Sequence, residues 1–331
     1  MRILVTGAAG FIGTNFVHYW VQEHPDDAVV ALDALTYAGS RENLADIDVP
    51  FVHADIGDTE AVGAALREYD IDTVVNFAAE SHNSLAVLDP GRFLQTNVLG
   101  TQRLLDACRS AGVARFHHIS TCEVYGDLAL DSGSDAAFTE QSPYRPRTPY
   151  NASKAGSDHV VRAYHETFDV PVTITNCANN YGPYQFPEKV LPLFITYALR
   201  DRPLPIYTSA DHRREWLHVR DHCTAIDAVL HRGRIGATYN VGSGLERTVT
   251  QLADDVLALL GKPQDLRVTV PDRPGHDRRY LLDSSVLRTE LGWRPEVDFA
   301  AGLADTVRWY AEHRAWWSRL QERSLVTESS W

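Results

Sequence analysis

The sequence predicts an α/β fold: a doubly wound parallel sheet followed by a smaller α/β domain. Three observations carry that expectation. Short apolar runs of strand length alternate with longer segments of helical period over the first half of the chain. The first apolar run opens straight into a glycine-rich turn and a helix. Near residue 178 the alternation gives way to polar, aromatic loops and shorter elements. The boundaries expected are therefore 1–177 and 178–331, with part of 217–240 free to return to the first domain. A chain of 331 residues, 44% hydrophobic and 23% charged, has room for such a core. Its formal net charge of -13 argues against a nucleic-acid or anionic-membrane partner, so a phosphorylated ligand needs a local basic pocket. No apolar run approaches the roughly 20 residues of a spanning helix. The first residues read as a strand, not a signal peptide. Cys108, Cys122, Cys177 and Cys223 lack paired or metal-ligand spacing, which fits a reducing cytoplasm and no metal site.

Each element has its own warrant. Ile3-Leu4-Val5 is a buried-type strand, and Thr6 to Gly13 the turn after it. Phe16, Val17, Trp20 and Val21 then recur with helical spacing. Gly7 permits the tight turn, Gly10 lets backbone approach a pyrophosphate, and Gly13 lets the helix pack on the strand. Phe11 and Ile12 sit at the helix start, where unpaired N–H groups attract phosphate. Val29 to Asp33 is a second strand, ending in an acid 20 residues past Gly13. Asp33 can accept two ribose hydroxyls, which selects NAD over its 2′-phosphorylated form. The combination makes this a Rossmann-type sheet.

Phe51 to Ile56 is a third strand whose Asp55 and Ile56 face an adenine. Thr59 to Leu66 is a short capped helix. The run from Thr73 ends in Ala78 and Ala79, small enough for the cofactor to lie close. Phe93 to Ala111 has helical period and stops at Gly112, a C-cap. Asn97 within it reads first as a polar strut to backbone and is kept as a cofactor candidate. Arg115 to Ile119 is the fifth strand, and the polar trio Thr121, Cys122 and Glu123 follows its end, where open parallel sheets place their chemistry. After a polar loop, Pro149 starts a helix to Phe168. Tyr150 and Lys154 are four apart and share a face of it. An ammonium near a phenol favours the phenolate, a base for a hydroxyl proton. Val172 to Asn176 is the sixth strand.

Beyond it the elements shorten: a helix over 187–199, a strand-like Leu204-Pro205-Ile206, the basic segment 212–216, and helices over 221–231 and 250–260. The tail helix carries Leu303, Val307, Tyr310, Trp316 and Trp317, aromatics that suit core or dimer packing, and residues 327–330 read as frayed. Arg213, Arg273 and Arg279 are phosphate candidates, because guanidinium forks match diphosphate oxygens in pairs.

These residues resemble an extended short-chain dehydrogenase/reductase, and more narrowly the dTDP-glucose 4,6-dehydratases of actinobacterial sugar pathways. The resemblance runs nearly end to end. It rests on Gly7-Ala8-Ala9-Gly10-Phe11-Ile12-Gly13, Phe77-Ala78-Ala79-Glu80-Ser81-His82, Tyr150-Asn151-Ala152-Ser153-Lys154, Asn179-Asn180-Tyr181-Gly182-Pro183-Tyr184, Pro187-Glu188-Lys189, Arg214-Glu215-Trp216 and Gly275-His276-Asp277. It implies tightly held NAD, a nucleoside-diphosphate sugar of dTDP or UDP type, and a homodimer built through helices of the first domain. It implies a catalytic set of Thr121, Cys122, Glu123, Tyr150 and Lys154. Substrate contacts are implied at Ser81, His82, Asn179, Glu188, Lys189, Arg213, Arg214, Asn240, Arg273 and His276. In that chemistry Tyr150 takes the O4 proton, a ketone forms at C4, Glu123 removes the C5 proton, an acid protonates the leaving 6-hydroxyl, and hydride returns to C6.

The chain departs from the dehydratase pattern in three places. The trio is Thr-Cys-Glu instead of Thr-Asp-Glu. It is similar to that of the tunicamycin-pathway UDP-sugar 5,6-dehydratase, in which hydride returns to C4 and an exocyclic alkene remains. His82-Asn83-Ser84-Leu85-Ala86 replaces a run with an Asp-Arg pair, and Tyr207-Thr208-Ser209-Ala210 replaces a Gly-Asp-Gly turn. The leading expectation is a 4,6-dehydratase. A 5,6-dehydratase, a UDP-uronic acid decarboxylase and a non-catalytic NAD-binding protein are the alternatives.

Overall fold

A computed structural model describes residues 1–133, 136–209, 211–272 and 277–323. Arg273 and His276, with Ala210 and residues 327–330, lie outside them. The strands are β1 Arg2–Thr6, β2 Ala28–Asp33, β3 Phe51–His53, β4 Thr73–Asn76, β5 Arg115–Thr121, β6 Val172–Cys177, β7 Asn179–Tyr181, β8 Leu204–Tyr207, β9 Arg213–His218, β10 Thr238–Val241, β11 Glu246–Thr248 and β12 Arg267–Val270. The helices are α1 Phe11–Glu23, α2 Thr59–Glu68, α3 Asn83–Leu88, α4 Pro90–Phe93, α5 Thr101–Ala111, α6 Pro149–Phe168, α7 Val190–Ala198, α8 Val219–Arg232, α9 Val249–Leu259, α10 Ser285–Leu291, α11 Phe299–Glu312 and α12 Arg314–Gln321.

Seven strands form one sheet in the order β10-β6-β5-β4-β1-β2-β3. Every pairing in it is parallel. Successive strand side chains point to opposite faces, so the sheet carries two cores. Ile3, Val5, Val29, Ala31 and Val75 pack with Phe16, Val17 and Trp20 of α1 and Ile226 and Leu230 of α8. Leu4, Val30, Leu32, Val74, Phe116 and Ile174 pack on the other face with α2, α5 and α6. The chain runs outward through β2 and β3 and returns to place β4 beside β1. That reversal opens a crevice at the carboxyl ends of the strands, the usual ligand position in such sheets.

A three-stranded sheet β11-β9-β7 and a two-stranded sheet β12-β8 follow. They surround a third core, in which Tyr181, Phe194, Trp216 and Leu252 meet the tail aromatics Tyr310, Trp316 and Trp317. The tail aromatics are thus core residues. Residues 213–216 of the basic segment lie in strand β9, and Thr238–Val241, not read as a strand from sequence, joins the main sheet beside β6, with Asn240 opposite Asn176.

Two helical expectations change. The helix over 93–111 is interrupted by a π-helical stretch, Leu94–Gly100. The polar strut explains it: Asn97 Oδ1 accepts the Glu80 N–H at 2.8 Å, and its Nδ2 donates to Glu80 O at 3.0 Å and Ser153 Oγ at 2.8 Å. π-helical turns inside α-helices are frequent at functional sites. The long tail helix is two helices, broken at His313.

Candidate active site

The crevice is lined first by the glycine turn between β1 and α1. Gly7 has φ of 66°, and a Cβ there would stand 2.7 Å from Ala78 N at the end of β4. A Cβ on Gly13 would stand 2.2 Å from Gly7 O. Both glycines are therefore fixed by close backbone approach. The 13-residue helix α1 begins at Phe11, and Gly10 before it caps it with no side chain. Its first N–H groups have no intrahelical partners and face the turn. Asp33 closes the other side: its carboxylate accepts Ala9 N–H at 2.9 Å and Leu35 N–H at 2.7 Å. Burial pushes this carboxyl up, against those two backbone donors. A glycine cradle, an uncapped helix start and a buried acid at the end of β2 fit a dinucleotide. Ile56 is buried below, whereas Asp55 is exposed and accepts Gly57 N–H at 2.7 Å.

The chemistry-bearing side chains follow β5. Thr121 ends that strand and caps the short turn Cys122–Tyr125, its Oγ1 accepting Glu123 N–H at 3.3 Å. Gly126 ends the turn with φ of 95°, where a Cβ would meet Arg145 O at 2.5 Å. Helix α6 enters from the side, capped by Thr148, whose Oγ1 accepts Asn151 N–H at 3.1 Å. Tyr150 in its first turn hydrogen-bonds Thr121, and Phe93 meets its ring edge-on. Asn83, at the start of α3, donates from Nδ2 to Glu123 Oε2 at 3.3 Å. Thr148 donates to Asn83 Oδ1 at 3.3 Å.

Two expectations are corrected here. The phenol of Tyr150 is not depressed by the chain: burial, then the nearby Glu123 carboxylate, hold it well above its usual range. Lys154 spends its ammonium on Ile119 O at 2.7 Å and approaches His118 Nε2 at 3.3 Å. Burial lowers this lysine, and Asp158, one turn on, is the acid that opposes the drop. Cys122 splits from its neighbours in the trio. It is 1% exposed and packs with Ala155, Cys177 and Leu217, and burial keeps its thiol protonated.

On the sugar side, His82 and Glu188 pair at 3.1 Å with both side chains buried, and Lys189 Nζ donates to Ser81 O at 2.8 Å. Asn179 follows the end of β6, and its buried Oδ1 has no donor among the described residues. The arginines sort differently from expectation. Arg279 is 2% exposed and bidentate to Glu246 at 2.6 and 2.7 Å, so it is a structural strut. Arg214 is half-buried, bound to Asp277 O, to Arg213 O at 2.8 Å and to Arg278 O at 3.1 Å. Arg213 is exposed at the start of β9. Asn240 is no ligand contact: it is fully buried, accepting from Tyr125 Oη at 2.8 Å and donating to Phe138 O at 2.9 Å. Its position in β10 turns it into the core of the sheet edge.

Sequence reasoning gave no role to Asn83, Thr148, His118 or Asp158. Asp158 was within reach, since it lies four residues past Lys154. The other three depend on long-range contacts. A cleft of about 910 Å³ lined by Glu140, Tyr144, Arg162 and Arg234 lies beside the start of β10 and contains none of the trio. Among the described residues no cluster of His, Cys, Asp and Glu forms a metal site, and no helix is long and apolar enough to cross a membrane.

Comparison with known proteins adds the relatives. The family model described as GDP-mannose 4,6 dehydratase matches residues 4–306. A dTDP-glucose 4,6-dehydratase of Xanthomonas campestris is 50% identical, covering 95% of this chain and 94% of its own. One from Mycobacterium tuberculosis is also 50% identical, over 97% of each chain. Among solved structures, the dTDP-glucose 4,6-dehydratase DesIV of Streptomyces venezuelae, with NAD bound, is 50% identical with a TM-score of 0.93, over 97% of this chain and all of its own. The UDP-glucose 4-epimerase of Thermus thermophilus, also with NAD, is 32% identical with a TM-score of 0.87, over 95% of this chain and all of its own.

Proposed function

Since the chain belongs to the GDP-mannose 4,6 dehydratase family, we propose that it is an NAD-dependent hydro-lyase that converts dTDP-glucose to a 4-keto-6-deoxy sugar. The observation that carries the reading is the meeting of Thr121, Glu123 and Tyr150 at the carboxyl end of β5, beside a glycine cradle, on a chain half identical to named 4,6-dehydratases.

Gly7, Gly10, Gly13 and Asp33 would hold NAD, which when bound would supply a reversible hydride acceptor beside the trio. Tyr150 accepts the O4 proton as the phenolate, the form that the positive charge of bound NAD would favour against the burial and the Glu123 carboxylate that keep the apoprotein's phenol protonated, with the Thr121 hydroxyl beside it. Lys154 sits one turn below, its charge held between Ile119 O and the His118–Asp158 pair. The ketone acidifies the C5 proton, and Glu123 removes it. Water leaves with a proton from an acid, a role that falls to the protonated thiol of Cys122 as the trio's remaining donor. His82, Glu188 and Lys189 hold the sugar end, with Asn179 Oδ1 offering an acceptor and Arg213 and Arg214 a basic edge for diphosphate.

The thiol in the trio favours a second product, the exo-glycal formed when hydride returns to C4. The two products are isomers, each short of one water: the ketone route returns hydride to C6 and the Glu123 proton to C5, and the alkene route returns hydride to C4 and leaves C5 without its proton. The ketone route sends the O4 proton out with water, whereas the alkene route restores it to O4. NMR of the product separates them: a C6 methyl and a C4 carbonyl for the first, vinylic C6 protons for the second. For the base, Glu123→Gln is expected to stop water loss while C4 oxidation, read as absorbance of reduced dinucleotide, still occurs. Dehydration at the parent rate in that variant would remove Glu123 from the role.

We propose a homodimer as the working form. Leu88, Leu94 and Leu99 are 60%, 51% and 46% exposed on the helical layer around the π-helical stretch, an apolar face suited to a second copy. The four free, buried cysteines fit a cytoplasmic location.

A further inference from the structure

Asn83 stands at a junction that the reaction scheme leaves unexplained. Its side chain is half-buried at the first position of α3, immediately after His82, which caps that helix. One end of its amide, Nδ2, donates to Glu123 Oε2 at 3.3 Å. The other end, Oδ1, accepts from Thr148 Oγ1 at 3.3 Å. Thr148 is itself the cap of α6, the helix that carries Tyr150. A single amide therefore ties the carboxylate after β5 to the start of the helix bearing the phenol. The contacts also orient the amide, because Thr148 already accepts Asn151 N–H and so has its hydroxyl proton to give to Asn83. That leaves the NH₂ facing Glu123.

We propose that Asn83 is a positioning residue for Glu123, holding one carboxylate oxygen so that the other faces the C5 proton. This rests on the reading of Glu123 as the base. A donor on a carboxylate favours its ionised form and fixes its rotation. Other titratable groups also face Glu123. Cys122 on its own turn, Tyr150 on α6, Cys177 at the end of β6 and Tyr280 ahead of α10 are all held protonated by burial. Arg214 on β9 lies over the Tyr280 ring and is bound to backbone carbonyls.

The test is Asn83→Asp in the holoenzyme. Aspartate keeps the shape and the acceptor for Thr148, but turns the donor facing Glu123 into an acceptor. Three results are expected. Elimination falls by roughly tenfold or more at neutral pH, the scale of one lost hydrogen bond to a charged group. Cofactor reduction by substrate persists, with KM little changed. The acid limb of the rate profile moves to higher pH. Independently of turnover, the Glu123 carboxyl resonance in protein labelled with ¹³C-glutamate should titrate at higher pH than in the parent. Should Asn83→Asp fail to fold, Asn83→Ala is measured in its place. An unchanged Glu123 titration in the folded variant overturns the proposal. If the parent dehydrates no nucleotide sugar, the proposed function fails, while the Glu123 titration still decides whether Asn83 holds that carboxylate.

Discussion

Cys122 and Glu123 are adjacent in sequence and live in different environments. The thiol is 1% exposed in an apolar cluster, and the carboxylate is half-buried and hydrogen-bonded by Asn83. Burial raises the thiol first, with Glu123, Cys177 and Glu215 adding to it. A thiol held that firmly is a reluctant acid. Replacing it with a carboxylic acid tests its role directly. In Cys122→Asp the same surroundings keep the new acid protonated, so it can donate to a leaving hydroxyl. Water loss from dTDP-glucose should quicken, while stability falls by about 1–3 kcal/mol for burying a polar group in an apolar cluster. No gain in rate would mark Cys122 as packing only. Tyr150 follows the same physics. Its phenol is buried beside a carboxylate, so the apoprotein should keep it protonated across the neutral range.

The turn between β1 and α1 is the element with least tolerance. A Cβ on Gly13 would lie 2.2 Å from Gly7 O, a contact no backbone accepts without moving. Gly13→Ala should therefore shift the turn, weaken dinucleotide retention at least about tenfold and lower the melting temperature. Purification of that variant with a full complement of NAD would contradict the assignment of the turn. The π-helical stretch is the opposite case, an irregularity with a stated cause. Asn97 bonds both backbone groups of Glu80 and also Ser153, tying the end of β4 to α6. Two parts of the crevice wall are thereby held in one register.

For the molecule as a whole, buried histidines and buried carboxyls pull the response to acid in opposite directions. Burial lowers His118 and His218 to about 4 and His222 to about 3, whereas an unfolded histidine titrates near 6.5. Below 6.5 the unfolded chain binds more protons than the folded one, so stability is lost as pH falls toward 4. Glu215 works the other way. Burial raises it to about 7, so the folded chain binds more protons between about 4.5 and 7, and stability is lost there as pH rises. Among the described residues His117 and His212 are lowered as well, while Asp33, Glu80, Glu140, Asp221, Asp255 and Asp277 are raised alongside Glu215, so the two sets oppose each other, at about 1.4 kcal/mol per pH unit for each proton. Relative to the parent, Glu215→Gln should shift the urea midpoint downward as pH falls from 6.5 to 5, because the parent gains stability from Glu215 over that range. An unchanged difference between variant and parent across that range would mean Glu215 is not desolvated as described. Sedimentation of the parent protein at the mass of one chain would likewise exclude the dimer through Leu88, Leu94 and Leu99.

The sequence by itself determined what local chemistry can encode. Glycines at 7, 10 and 13, an acid at 33, strand and helix periods, and the trio after β5 are short-range signals, legible because each needs particular residues at particular spacings. Only the tertiary structure decided which polar groups are available and which are consumed. Arg279 and Asn240 looked like ligand contacts, yet Glu246 and Tyr125, far off in sequence, take their hydrogen bonds. Asn83 looked like a gap in a pattern, yet it meets Glu123 across 40 residues. The physical reason is that a polar side chain does its work through whichever partner folding brings within about 3 Å, and that partner is set by long-range packing that spacing along the chain does not contain.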